Sequence, residues 1–387
     1  MLFVALASVV IWAGLLAARG GFWLARETDE ENAAEPHAWP DVTVVVPARN
    51  EAEVVARAIA SLVAQNYPGD FRVVLVDDGS SDGTADVARA AGGARLTIVS
   101  GSMPRAGWTG KLWAMQQGLE EAGSAPRYLW LTDADIEHAP DTLRSLVARS
   151  EQDGLALNSR MAELRCESAA EKALVPAFVF FFQMLYPFAR VNRSSSHVAA
   201  AAGGCMLVNR AWLASAGGLH AIKGALIDDC ALARLMKAEG PIQLTLTRRC
   251  RSIRAYGGWR EIHAMIARSA YTQLRCSPLL LAATLAGMAL VYVSPVVLAF
   301  TGSGWARLAG LAAWLMMSLA FQPMLRFYRR SPLWGFALPL IGGFYAFATW
   351  SSAWRHWQGR GGMWKGRAAH VPAALHQLDH RTPEIYR

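Results

Sequence analysis

The chain has 387 residues, of which 53% are hydrophobic and 15 are Trp, and its formal charge is +8. That length would fit two soluble domains but the apolar content would not, so the composition describes a membrane protein with a soluble part. The charge suits anionic lipid surfaces and phosphate ligands. A nucleic-acid partner is disfavoured, because no Lys/Arg block interleaves with aromatics on a recognisable module.

Residues 1–24 begin with an apolar run from Leu2 to Ala18 that weakens towards Leu24. There is no basic leader region or small-residue cleavage site, so the run reads as a retained membrane anchor. Residues 25–40 are acidic, polar and Pro-containing, and read as a linker. From 41 the pattern alternates. Strands are expected at 42–46 (stopped by Pro47), 73–76, 96–99 and 128–131, with helices at 52–64, 84–91 and 111–121 between them. Continuous apolar strands alternating with helices give an α/β domain, 41–276, whose parallel sheet is covered on both faces. No Gly-x-Gly-x-x-Gly follows the first strand, which disfavours a dinucleotide-dependent dehydrogenase.

Chemistry gathers at the strand ends, where open α/β sheets bind ligands. The first strand leads into Pro47-Ala48-Arg49-Asn50-Glu51, and the second into Asp77-Asp78-Gly79-Ser80, whose carboxylates can accept from ribose hydroxyls or base N–H groups. After the third, a glycine loop ends in Lys111, a cation suited to phosphate. The fourth ends in Asp133-Ala134-Asp135, two hard carboxylates on one rim that can hold Mg²⁺ or Mn²⁺. Capping would account for Ser, Thr and Gly at such positions. It would not account for Arg49, Lys111 and the paired carboxylates.

Further on, residues 173–190 carry an aromatic run, Phe178 to Phe182, and read as an interfacial helix dipping into headgroups, with a buried core helix as the rival. Gly203-Gly204 enters another strand and allows close ligand approach. Ile227-Asp228-Asp229 opens a helix, where acidic residues ordinarily just favour the helix dipole. Residues 259–274 look helical. Three apolar segments, 279–300, 305–325 and 333–354, are candidate spans within a membrane region, 277–354. Arg326, Arg329 and Arg330 put the loop between the last two in the cytoplasm. One N-terminal and three C-terminal spans would then place the basic tail, 355–387, outside, against the same rule; a re-entrant segment would remove the conflict. The five cysteines, Cys166, Cys205, Cys230, Cys250 and Cys276, are scattered without a Cys-x-x-Cys pair. This speaks against zinc and against a disulfide framework, and they read as inert small apolar residues.

Three motifs together, Val44-Val45-Val46-Pro47-Ala48-Arg49-Asn50-Glu51, Val76-Asp77-Asp78-Gly79-Ser80 and Thr132-Asp133-Ala134-Asp135, resemble those of the family 2 glycosyltransferases. The resemblance is closest to the hopanoid-associated members and covers roughly residues 42–274. It implies a GT-A-type nucleotide-binding domain flanked by N- and C-terminal transmembrane helices, in a multi-pass protein of a bacterial-type inner membrane with its catalytic domain cytoplasmic. It also implies an inverting, metal-dependent transfer from a nucleotide-diphosphate sugar to a membrane lipid. By the resemblance, Pro47 to Glu51 and Asp78 contact the base and ribose, Lys111 the nucleotide or phosphate, and Gly204 and Arg268 the donor. Asp133 and Asp135 match the metal-and-nucleotide aspartates, Asp229 matches the general base, and Asp228 is its helper, standing where the family shows Glu. Many relatives that build polymers carry Gln-x-x-Arg-Trp; here Met265-Ile266-Ala267-Arg268-Ser269 keeps only the Arg, which points to non-processive transfer. The acceptor implied is hopanoid-related. The alternatives are polyprenyl phosphate, a ceramide-like lipid, or an inactive scaffold, the last disfavoured by intact Asp133, Asp135 and Asp229.

Overall fold

The structure is a computed structural model that describes residues 1–31, 33–361, 363–364 and 367–368. From residue 369 the basic tail lies outside the described residues. After helix α1 (Leu2–Ala18) the chain alternates through β1 (Val42–Ala48), α2 (Val55–Val63), β2 (Phe71–Asp77), α3 (Thr84–Gly92), β3 (Leu96–Ser100), α4 (Gly110–Ala122) and β4 (Tyr128–Leu131). It continues through β5 (Ile136–His138), α5 (Thr142–Asp153), β6 (Leu157–Glu163), α6 (Ala169–Leu185), α7 (Phe188–Val191), β7 (Met206–Asn209), α8 (Arg210–Ser215), α9 (Asp228–Glu239) and β8 (Ile242–Ser252). Helices α10 (Trp259–Ala267) and α11 (Ala270–Gln273) lead to α12 (Pro278–Met288), α13 (Ser294–Thr301), α14 (Gly304–Phe327) and α15 (Leu338–Trp357).

The strands form one eight-stranded sheet in the order β3-β2-β1-β4-β7-β6-β8-β5. The first four pair in parallel, as expected from their unbroken apolar runs, and every residue of β1 is buried. The other half is mixed: β7 runs antiparallel to β4 and β6, and β5 antiparallel to β8. Strand β1 does not stop at Pro47 but continues to Ala48. Strand β4 pairs with it only as far as Val45, so at Pro47 the sole strand neighbour is β2, and a missing N–H is tolerated at such an edge.

Local physics fixes the helices that bear the site. Helix α2 buries Val55, Ala58, Ile59 and Leu62, one face at helical spacing. The Thr109 side chain caps α4 by accepting from the Leu112 amide. Gly118 of α4 lies so close to the sheet that a Cβ there would sit 2.4 Å from Val45 Cγ1, which brings Lys111 down onto the strand ends. Residues 25–40 are strapped to the domain: Thr28 bridges to Leu246, and Asp29 pairs with Arg160 and Arg249.

Helix α6 departs from the interfacial expectation. Val179, Phe180 and Phe181 are buried, with Phe180 against Phe321 of α14 and Phe181 against Tyr292 and Tyr345. The aromatic run is apolar because it is the core between the α/β domain and the C-terminal helices, not because it meets lipid headgroups. Its start is fixed by a reciprocal capping box between Ser168 and Glu171.

Four helical stretches are long and apolar enough to cross a membrane: Ala169–Val191, Pro278–Thr301, Gly304–Phe327 and Pro332–Trp357. Helix α1 is shorter, at 17 residues, about 25 Å. It is tied to a π-helical turn, Ala289–Val293, that joins α12 to α13. There Ser8 Oγ donates to Leu290 O (2.8 Å) and Trp12 Nε1 to Val291 O (3.0 Å).

The last apolar segment doubles back. Helix α14 ends at the α/β domain, where Arg248 donates to Phe327 O and the Leu164 amide donates to Tyr328 Oη. A 3-10 turn, Pro332–Ala337, then climbs back along α14, with Trp314 Nε1 donating to Phe336 O. Helix α15 returns to the domain, where Ser352 accepts from the Tyr271 amide, and His356 and Trp357 lie against the Tyr271 ring. Both ends of residues 327–357 therefore adjoin the same domain.

Candidate active site

The strand ends of β1, β2 and β4 converge with α4, the entry to β7 and the start of α9. The β1 and β2 turns are laced together. The Asn50 amide donates to Ser80 Oγ, the Ser81 amide to Asn50 Oδ1 and the Glu51 amide to Thr84 Oγ1, all within 2.9 Å. Asn50 takes a left-handed conformation (φ 51°), which Asn tolerates better than most residues. Arg49 donates to Asp78 O and Gly79 O and lies 3.8 Å from the buried Asp78 carboxylate. Pro47 and Ala48 are buried in β1, so they shape the turn from behind instead of presenting side chains.

Lys111 is the hub of the second cluster. Its Nζ lies 2.9 Å from Asp133 Oδ1 and 3.1 Å from Asp228 Oδ2. Burial alone would lower the ammonium's pKa, but Asp133 and Asp228 outweigh it and raise the pKa far above the ordinary lysine value. Asp133 is raised by burial, with Lys111 opposing and Asp135 reinforcing the shift. Asp229, next to this network, accepts from the Gly203 amide through Oδ2 (3.1 Å). Burial and then the neighbouring Asp228 push its carboxyl up to about 6. A carboxylate with that pKa is poised for proton transfer near neutrality.

The third cluster was not legible in the sequence. Arg254, just beyond β8, donates from Nε to Asp135 Oδ2 (2.8 Å) and from a terminal nitrogen to Glu51 Oε2, so it clamps the β1 turn to the β4 rim. Its loop is fixed by Glu171, a buried carboxylate that accepts from the Tyr256 amide at 2.9 Å. Arg254 belongs to no periodic element, and no spacing links it to the aspartates.

Gly203 and Gly204 divide roles. A Cβ on Gly203 would lie 3.3 Å from Lys111 Nζ and 3.6 Å from Asp229 Oδ2, whereas one on Gly204 would meet Ile136 at 3.1 Å. The open approach to the polar cluster therefore belongs to Gly203, and Gly204 packs against the core. Arg268 is exposed at the end of α10 and enters none of the ion pairs among the described residues. The hard carboxylate oxygens of Asp133 and Asp135 fit Mg²⁺ or Mn²⁺, and each already attracts a cationic side chain, Lys111 or Arg254.

The mostly parallel half-sheet with carboxylates at its strand ends belongs to a GT-A fold. Residues 43–216 match the model of the glycosyl transferase family 2. It is 31% identical over 114 residues to the 4,4'-diaponeurosporenoate glycosyltransferase of Staphylococcus aureus, an alignment covering 29% of each protein. The chain thus spans under a third of that relative's length. Among solved structures, a mannosyltransferase from Pyrobaculum calidifontis in complex with GDP-Man and Mn²⁺ superposes with a TM-score of 0.54 at 20% identity, over 92% of this chain and 99% of that one. That likeness is one of fold.

Proposed function

We propose that the protein is an inverting, non-processive glycosyltransferase that moves a sugar from a nucleotide-diphosphate donor to a hydroxyl or carboxyl of a membrane lipid, with a hopanoid-related lipid as the acceptor. The observation that carries this reading is the Lys111 cluster: an ammonium held by Asp133 and Asp228, beside Asp229 and the bare backbone of Gly203.

The turns at Asn50, Glu51 and Asp78 lie where the nucleoside would bind, and Lys111 would meet the diphosphate. Asp133 and Asp135 would hold a divalent cation, whose charge stabilises the departing diphosphate. Asp229 takes the proton from the attacking acceptor oxygen, and that oxygen bonds to the anomeric carbon as the bond to the diphosphate breaks. A single displacement of this kind inverts the centre and needs only one base. Asp228 orients the ammonium through its ion pair with Lys111, and its negative charge adds to burial in keeping the Asp229 pKa high, against the lowering effect of Lys111.

A lipid acceptor is supported by the apolar helices packed on the domain and by the carotenoid in the name of the Staphylococcus aureus relative. The hopanoid assignment rests on the resemblance of the motifs. A catalytic domain on the cytoplasmic side is supported by Arg326 in the last turn of α14 and by Arg329 and Arg330 just beyond it, next to that domain.

The test is to incubate membranes containing the protein with labelled sugar nucleotides and identify the labelled product by mass spectrometry. A glycosylated hopanoid, absent with Asp229→Asn, is the expected result. Label in a polyprenyl phosphate or ceramide-like lipid would move the acceptor to that class, and label in no lipid would overturn the reading.

A further inference from the structure

Directly behind the carboxylate rim, three side chains that the transfer does not use come together. His138 of β5 and Cys250 of β8 are cross-strand partners in an antiparallel ladder, and Cys205 enters β7 beside them. All three are buried. A ring nitrogen of His138 and the two Sγ atoms lie within 4.8 Å of one another.

Hydrogen bonding fixes the histidine tautomer. Thr132 Oγ1 lies 2.7 Å from Gly204 O, and a carbonyl can only accept, so the hydroxyl proton points there. The same Oγ1 is 2.9 Å from His138 Nε2 and must accept from it. The ring proton is therefore on Nε2, and Nδ1 carries a bare lone pair. Nδ1 is buried and has no hydrogen-bond partner among the described residues. Burial, and then Arg160, push the imidazole down to about 3, so the ring stays neutral at physiological pH. A neutral imidazole with its second nitrogen anchored to a protein oxygen is how histidine is presented to a metal.

Charge selects the ion. Arg160 is the cation whose charge acts on all three side chains, but Asp29 lies 3.1 Å from its Nη1 and offsets it. Two buried thiolates then require two positive charges from whatever they bind. Sulfur and imidazole ligands suit a soft or borderline ion, unlike the hard oxygens of Asp133 and Asp135.

We propose that His138 Nδ1 and the thiolates of Cys205 and Cys250 bind one Zn²⁺ ion, with a solvent oxygen completing the tetrahedron. Binding displaces one proton from each thiol, and the resulting centre is neutral. It cross-links β5, the entry to β7 and β8. Those strands deliver Gly203, the Thr132–Asp133 rim and the Arg254 loop, so the ion braces the active site without touching substrate. Cysteine spacing spoke against zinc because the ligands come from three separate strands and meet only when the mixed half of the sheet has formed.

The test uses the full chain, purified in detergent from zinc-supplemented cells and passed over EDTA to strip ions held by carboxylates. About one zinc per chain is expected by elemental analysis, falling at least tenfold in Cys205→Ser/Cys250→Ser and staying unchanged in Asp135→Asn. In the unmutated protein, mercurial titration should release the zinc as two thiols react, read with a chromogenic chelator. Cobalt in place of zinc should give thiolate charge-transfer absorption. The wild-type measurements decide the matter even if the double variant misfolds. Absence of zinc from the wild-type protein, zinc retained by a folded double variant, copper in its place, or a Cys205–Cys250 disulfide found by peptide mapping would each overturn the proposal.

Discussion

Arg254 Nε sits 2.8 Å from Asp135 Oδ2 while the other end of the same guanidinium holds Glu51, so one cation joins the end of β4 to the turn after β1. A divalent ion at Asp135 has to compete with that guanidinium for the same carboxylate. Arg254→Met should therefore tighten binding of Mn²⁺ alone by about tenfold, equivalent to ~1.4 kcal/mol. The same substitution should weaken nucleotide binding, because the β1 turn loses its clamp. Mn²⁺ titration followed by electron paramagnetic resonance checks the first effect and calorimetry the second. Unchanged or weaker Mn²⁺ affinity would sink the competition.

Asp229 makes a prediction with a definite sign in pH. With its pKa near 6, the base is ionised only above that value, so turnover should rise as pH passes through about 6. The folded state raises this pKa above its value of 3.8, so the protonated form is favoured by folding. The associated stability is fully present below the unfolded pKa and is lost as pH climbs through about 6. Asp229→Asn, which cannot ionise, should melt no lower than wild type at pH 7 while losing about 10²–10⁴-fold in turnover. Asp228→Asn should lose less turnover and more stability, since it leaves Lys111 short of a partner. If Asp228→Asn is the slower enzyme, the roles are reversed.

Burial of Phe180 separates a core helix from a surface one. Phe180→Ala should cost about 3–5 kcal/mol, a clear fall in melting temperature in detergent. Phe178 and Phe182 are only partly buried, and Ala at either position should cost less. Equal melting shifts at all three positions would argue against the packing.

A reporter placed after Gly359 tests the doubling-back of residues 327–357. It should be accessible from the same side of the membrane as one inserted in the loop 101–107, and both should be cytoplasmic. Opposite accessibility would show that α15 crosses.

The parallel half of the sheet was legible because each of its strands is a short apolar run followed by a turn. Strands β6 and β8 were not, because polar residues are buried inside them: Arg160 against Ser145 and Asp29, Asn158 against the Leu146 carbonyl, and Thr245, contacts and burial the sequence does not display. The Pro47 expectation failed for a topological reason: a proline ends a strand flanked on both sides but not one whose neighbour has already stopped. At the site, Lys111 and the aspartates announced themselves as charges at the ends of apolar strands. Arg254 and Gly203 did not, since one depends on a loop folding back over the rim and the other on which of two adjacent glycines faces the pocket.

The bonds from Ser8 and Trp12 to the carbonyls of Leu290 and Val291 also set a timetable. The partners are separated by 282 residues for Ser8 and 279 for Trp12. At a synthesis rate of about 5–20 residues per second, α1 waits roughly 15 to 60 s before its acceptors leave the ribosome. Until then its indole N–H has no lasting partner and its serine hydroxyl only the Val4 carbonyl of its own helix, so α1 is among the last helices to be locked in place. Chains arrested or cleaved before residue 290 should expose α1 to the cell's membrane quality control, whatever the state of their soluble domain.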